Sequence, residues 1–155
     1  MATLDHLTGG RMGWNIVTGF LKSGALAMGQ DDLTEHDLRY ESADEFMEIM
    51  YGLWDRSWAD DALLRDKTTG RYADPAKIGI IEHRTEHHRI RAAGPTEPSP
   101  QRVPVLFQAG GSARGRQFAS THAEGIFING PKLELVAGQV SDMRQRAADL
   151  GRRPE

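Results

Sequence analysis

The sequence predicts an α/β protein built on a parallel sheet, and three observations predict it. A short apolar run, Val103, Val105, Leu106 and Phe107, ends in Gly110-Gly111-Ser112 and passes at once into a helical pattern through Arg116, Phe118, Ala119 and Ala123. A long helical stripe follows an earlier strand-like segment. Strand and helix then alternate along the chain, the order that gives parallel strands covered by helices.

Leu4 and Leu7 read as the last turn of a helix with Gly9-Gly10 as its stop. Residues 12–18, Met-Gly-Trp-Asn-Ile-Val-Thr, read as the first strand, and 19–33, rich in Gly, Ala and Asp, as a loop. A helix is expected near 34–56, with Thr34 as N-cap and Asp37 three residues on. His36, Tyr40, Ala43, Met47, Met50 and Trp54 step by four and three along one face of it. Residues 55–77 are polar and irregular, with a turn at Asp74-Pro75; 78–91 form a short hairpin; prolines at 95, 98, 100 and 104 make 94–104 a loop.

The second strand is expected at 103–109 and a helix at about 113–124. Gly125 to Ile128 read as a third, buried strand. A last helix near 132–150 has Pro131 in its first turn, a buried face of Leu133, Val136, Val140, Met143, Ala147 and Leu150, and Gly151 as its stop. The tail, 152–155, is expected to fray.

The net charge of −3 over 155 residues points to neither nucleic acid nor an anionic membrane as partner. The absence of cysteine excludes disulfides and thiolate metal sites and fits a reducing compartment. No apolar run approaches the roughly 20 residues that span a bilayer, and the first residues lack the basic and apolar regions of a signal peptide. A soluble cytoplasmic protein is the expectation.

The chemistry concentrates at one place. A strand feeding a glycine turn and a helix start suits a phosphate, because the backbone can approach closely and the first helical N–H groups are unpaired. Ser112 can cap the helix or donate its hydroxyl to a phosphate oxygen. The same pattern also serves as an ordinary strand-to-helix turn. Thr18 ends the first strand and His36 and Tyr40 begin the first long helix, so all are expected at the face where α/β proteins bind ligands. A core tyrosine and a helix-end histidine bonded to backbone are the alternative. His83, His87 and His88 lack a partnering carboxylate at fixed spacing, so no metal site is expected. Arg89-Ile90-Arg91 and Arg144-Gln145-Arg146 read as solvated charge.

Several segments fall in one familiar order. They are Leu4-Asp5-His6-Leu7-Thr8-Gly9-Gly10-Arg11, Gly13-Trp14-Asn15-Ile16-Val17-Thr18, His36-Asp37-Leu38-Arg39-Tyr40 with Ala43-Asp44-Glu45-Phe46 and Leu53-Trp54, and Pro104-Val105-Leu106-Phe107-Gln108-Ala109-Gly110. The set resembles the flavin-dependent monooxygenases of the nitrilotriacetate monooxygenase component A group. That group includes dibenzothiophene-sulfone and long-chain alkane monooxygenases and lies within the bacterial luciferase-like superfamily.

The resemblance covers the chain to about residue 151. It implies a partial (β/α)8 TIM barrel of about three βα units with an inserted hairpin, from strand 4 to helix 6 of the family pattern, because a whole barrel needs about 200 residues or more. It implies FMN as cofactor, used reduced (FMNH2), with O2, a small organic substrate and a separate NAD(P)H-dependent flavin reductase as partners. It implies that Thr18, Tyr40, Gly110, Gly111 and Ser112 hold the FMN phosphate and that Asn15 and His36 line the flavin or substrate pocket. The chain departs from the family at Gly19, where serine is usual, at Ala27-Met28-Gly29, and at His88, where the hairpin usually has phenylalanine. A partial barrel leaves two sheet edges open, so self-association, and no turnover by this chain alone, are expected. Val105, Leu106, Phe107 and Ile126 to Ile128 are expected to face the uncovered side.

Overall fold

The computed structural model describes residues 1–153. The chain divides into two compact units: Gly13–Asp44 with residues from Val105 onward, and Met1–Met12 with Glu45–Pro104.

The first of these units holds a three-stranded parallel sheet. Its strands are β1 (Gly13–Ile16), β6 (Val105–Gln108) and β7 (Gly125–Ile126), in the order β1-β6-β7. Gly13 pairs with Val105 through to Ile16 with Gln108, and Phe107 pairs with Gly125. Successive side chains alternate in face. Ile16, Leu106 and Gln108 therefore share one face and are buried, with Leu106 at 1% exposure. Gly13, Asn15, Val105 and Phe107 share the other, where Val105 is 39% exposed.

The Phe107 ring lies flat across that second face. A Cβ on Gly125 would sit 2.5 Å from Phe107 Cε1, and one on Gly13 would sit 3.0 Å from Cε2. The glycines on both neighbouring strands are thus the space the ring occupies. Phe127 extends the ladder, its N–H donating to the Gln108 carbonyl at 2.9 Å, and its ring meets that of Phe107 at 5.8 Å.

The three strands predicted at 12–18, 103–109 and 125–128 are parallel as expected, and the expectation about their uncovered face is corrected at Leu106 and Ile126. Leu106 points to the helical side and is fully buried, and Ile126, which pairs with Gln108, lies on that same face. The regular strand ends at Ile126, and beyond it Phe127 is 62% exposed, with the Phe107 ring as its aromatic neighbour.

Helix α4 (Ala113–His122) follows β6, and α5 (Leu133–Asp149) follows β7. Arg116 and Arg146 both bond the Asp142 carboxylate, at 2.6 and 3.0 Å, and Arg146 also donates to Gln117 Oε1 at 2.8 Å. Arg146 is therefore an interhelical tie rather than solvated charge. Pro131 precedes the α5 cap at Lys132, and Leu133 and Leu150 are exposed, leaving Met143 as the buried contact. Gly151 ends α5 with φ 76°, and the N–H groups of Gly151 and Arg152 bond the Ala148 and Ala147 carbonyls, both at 2.9 Å. Arg152 also donates to the Ser120 carbonyl at 2.8 Å, so the tail is anchored at that residue. Residues 154–155 lie outside the described residues.

Helix α3 (His36–Tyr51) belongs to the first unit up to Asp44 and to the second from Glu45. Its cap differs from expectation. Glu35, not Thr34, bonds the Asp37 and Leu38 N–H groups, at 2.8 and 3.1 Å. A short helix, α2 (Lys22–Ala27), stands in the segment expected to be loop. Gly24 inside it lowers its helical signal.

In the second unit α1 (Ala2–Thr8) stops at Gly9 in the left-handed region, as Gly9-Gly10 implied. Two hairpins follow α3. The pair β2 (Leu63–Asp66) and β3 (Arg71–Ala73) stands where only irregular chain was expected; β4 (Ile81–Arg84) and β5 (Arg89–Ala92) form the expected one. His88 meets the Phe46 ring at 5.9 Å. The buried Asp5 carboxylate accepts the Gln101 N–H at 2.9 Å and the Met12 N–H at 3.3 Å. Burial acts to raise its pKa, and these bonds with that of Ser99 outweigh burial and hold it below the ordinary value.

Gly125→Ala is expected to destabilise the protein by about 1–3 kcal/mol, because the new methyl overlaps the Phe107 ring. Urea denaturation should show a lower midpoint, and adding Phe107→Leu should recover part of the loss, since the two positions touch.

Candidate active site

The site begins at the end of β6. Gln108 closes the strand, Ala109-Gly110-Gly111 turn the chain, and Ser112 caps α4. Ser112 has φ −69° and ψ 161°, and its Oγ accepts the Gly115 N–H at 2.9 Å. The hydroxyl hydrogen is left over for another acceptor. The N–H groups of Ala113 and Arg114, in the first turn of α4, have no intrahelical carbonyl to meet.

Tyr40 comes to this turn from α3. Its ring is buried against Phe118 (5.5 Å between centroids) and against His36 (5.2 Å), with the Arg114 guanidinium 5.5 Å from its centroid. Its hydroxyl reaches the backbone of the turn. A Cβ on Gly110 would lie 2.9 Å from that oxygen and one on Gly115 2.8 Å. Both glycines are therefore fixed by close approach of the tyrosine. Gln108 Nε2 lies 3.4 Å from the same hydroxyl, and Gln108 Oε1 is buried without a hydrogen-bond partner among the described residues.

Behind Tyr40 sits a charged group that sequence reasoning missed. Asp44, one turn along α3, accepts hydrogen bonds from Arg114 and from His122 Nε2, the latter at 3.0 Å. His122 is buried against Phe118, 4.7 Å between rings. Burial acts to raise the Asp44 pKa; the bonds from His122 and Arg114 outweigh it and leave the carboxyl below its ordinary 3.8. Arg116, also missed, donates from Nη1 to the Gly111 carbonyl at 2.7 Å. The available signal was weak: an arginine in the first turn of a helix reads as solvent-facing charge until its partner on α5 is known.

Of the predicted residues, Tyr40, Gly110 and Ser112 meet at the head of α4. Gly111 lies between them with open space where a side chain would be. Ile16 pairs with Gln108, so Thr18 and Gly110 each lie two residues beyond the same rung. His36 stands beside Tyr40, with Nδ1 2.5 Å from Asp37 Oδ1. Asn15 lies on the sheet face shared with Phe107, opposite the face that carries Gln108. A cleft of about 170 Å3 opens beside the turn, lined by Gly110, Gly111, Phe127, Asn129, Gln139 and Met143 among others.

Parallel βα units with a glycine turn at the head of α4 define this part of the molecule as a section of an α/β barrel. The chain belongs to the luciferase-like monooxygenase family, whose sequence pattern matches residues 1–155. The dimethyl-sulfide monooxygenase of Hyphomicrobium sulfonivorans is 47% identical over 152 residues, which cover 98% of this chain and 32% of that protein. The long-chain alkane monooxygenase of Geobacillus thermodenitrificans is 46% identical over 155 residues, 100% of this chain and 35% of its own. A crystal structure of a long-chain alkane monooxygenase superposes with a TM-score of 0.92 at 46% identity, over 99% of this chain and 35% of that one. A riboflavin lyase crystallised with modified FMN and the substrate riboflavin superposes with a TM-score of 0.90 at 49% identity, over 99% and 34%. The chain spans about a third of the length of these relatives, and its fold is a partial (β/α)8 barrel. Among the described residues no helix is long and apolar enough to cross a membrane.

The Asp44 group carries a pH dependence of known sign. A carboxyl whose folded pKa is depressed contributes stability above its ordinary value and loses it as pH falls through the folded value. The Asp44→Asn variant is therefore expected to be less stable than the parent at neutral pH. The difference should shrink as pH falls below 3.8, and paired urea titrations across that range read it directly.

Proposed function

We propose that this chain forms the phosphate-anchoring section of the FMN site in a two-component flavin-dependent monooxygenase. The observation that carries the reading is the meeting of the Tyr40 hydroxyl, the Gly110-Gly111 turn and the Ser112 cap at the head of α4. Three features there suit a phosphate. Unpaired N–H groups and the helix dipole favour an anion, Ser112 keeps a hydroxyl hydrogen to donate, and Gly111 leaves its backbone open to close approach. A 49% identical relative crystallised with modified FMN supports the same cofactor here.

In this reading Ser112, Gly111 and Tyr40 hold the phosphate, and Thr18, at the end of the neighbouring strand, adds a hydroxyl. His36 and Asn15 line the flavin or substrate pocket. Reduced FMN, delivered by a separate NAD(P)H-dependent reductase, supplies two electrons, so that one atom of O2 enters a small organic substrate and the other leaves as water. The chain's own contribution is binding and orientation: it fixes the phosphate end and so sets where the rest of the cofactor lies.

Phe107, Val105 and Phe127 stand on the sheet face that a closed barrel keeps covered, and two of the three are exposed. For the 155-residue chain taken alone, we infer flavin binding and self-association without turnover, because apolar sheet faces and open edges pair with other copies.

Ser112→Ala and Tyr40→Phe are each expected to weaken FMN binding by about 10- to 100-fold, the scale of one hydrogen bond to a charged group, with riboflavin binding unchanged. Fluorescence titration of the protein measures both. Equal losses for FMN and riboflavin would place the phosphate elsewhere. A coupled assay with reductase, NADH and candidate substrates should show no oxygenation above the reductase-only background by the 155-residue chain.

A further inference from the structure

We infer that Arg116 is a positioning residue for the phosphate turn, held by Asp142 on α5; this rests on the phosphate reading above. Two successive glycines leave a turn many backbone conformations. The Ser112 cap fixes the chain only on the helical side. Arg116 fixes the peptide that joins Gly111 to Ser112, its Nη1 donating to the Gly111 carbonyl at 2.7 Å. The carbonyl and the N–H of a trans peptide point in opposite directions. Holding the Gly111 oxygen against the guanidinium therefore holds the Ser112 N–H directed away from it, as a fixed donor at the mouth of the turn.

Arg116 is itself held. Its Nε donates to Asp142 Oδ2 at 2.6 Å, and Arg146 Nε donates to Asp142 Oδ1 at 3.0 Å. Arg146 then reaches back to Gln117 Oε1 on α4 at 2.8 Å. Hydrogen bonds from Arg146 and then Arg116 keep the Asp142 carboxyl below its ordinary value, so it is ionised at neutral pH. The planar fork of arginine suits this double duty, one edge on a carboxylate and the other on a carbonyl, and the single ammonium of lysine does not. The hydrogen bonds of Asp142 go to Arg116 and Arg146, and it reaches the turn through Arg116.

The test is titration of the protein with FMN and with riboflavin at fixed salt, read by flavin fluorescence. The ratio of the two affinities isolates the phosphate contribution. Arg116→Ala is expected to lower that ratio about tenfold, Arg116→Lys less, and Asp142→Ala several-fold in the same direction, with riboflavin affinity unchanged in each. Attraction by the arginine charge alone predicts the opposite sign for Asp142→Ala, because removing a negative charge would tighten the anion. An unchanged ratio in Arg116→Ala, or a raised ratio in Asp142→Ala, overturns the inference and leaves the phosphate reading standing. A parent protein with no preference for FMN overturns both, and shows it before any variant is made. Should Arg116→Ala lose riboflavin binding through misfolding, Arg116→Lys and Asp142→Ala decide the question.

Discussion

The close approach of one tyrosine to one glycine turn is the constraint on which the site depends. The Tyr40 hydroxyl lies where side chains on Gly110 and Gly115 would otherwise begin. That contact requires glycine at both positions. It requires Tyr40 at the start of α3, and the strand β6 must end where it does. The same ring also receives Phe118, His36 and Arg114, so the aromatic core of the unit and the polar face of the turn share one residue. Replacing either glycine moves the tyrosine, and moving the tyrosine disturbs both core and site.

Around this contact the charges are arranged in two separate clamps. Asp44 joins Arg114 to His122 beneath the Tyr40 ring, and Asp142 joins Arg116 to Arg146 between α4 and α5. Ion pairs that keep part of their charge in contact with solvent, as both of these do, contribute modestly on their own. Their value here is geometric, because each carboxylate accepts from two donors that come from different helices or different turns of one helix. A side chain tied on both edges loses the freedom to leave its place, a constraint that a turn built of glycine lacks in its own backbone.

Much of this was legible in the sequence, and the reasons are local ones. The strand ending in Gly110-Gly111-Ser112 announces a turn and a cap, and the cap is present with the expected serine. The four-and-three spacing of Tyr40, Ala43 and Met47 announces a buried helix face, and Tyr40 and Met47 are buried. Asp5, Asp44, Gln108 and Arg116 were not legible as core or clamp residues. Each is polar, and a polar residue is assigned to solvent until its partner is known. Those partners, Gln101, His122, Tyr40 and Asp142, lie 26 to 96 residues away along the chain, beyond the reach of any periodicity. The hairpin of β2 and β3 escaped for a related reason. Its strands are short, polar and shifted in register, so they alternate too little to be read.

The sheet itself shows where this section of barrel is self-sufficient. On the helical face Ile16, Leu106 and Gln108 are covered by the chain's own residues. On the opposite face Phe107 spreads over Gly13 and Gly125 and closes the middle of the sheet with a single ring, while Val105 and Phe127 remain exposed on either side. The phosphate turn belongs to the covered side: Gln108, Tyr40, α4 and α5 all lie within one compact unit. On the proposed reading, affinity for a phosphate depends on residues of that one unit, whereas exclusion of water from a reacting centre depends on the face left open. The proposed binding and turnover are separable for that reason, the first resting on the head of α4 and the second on whatever covers Phe107.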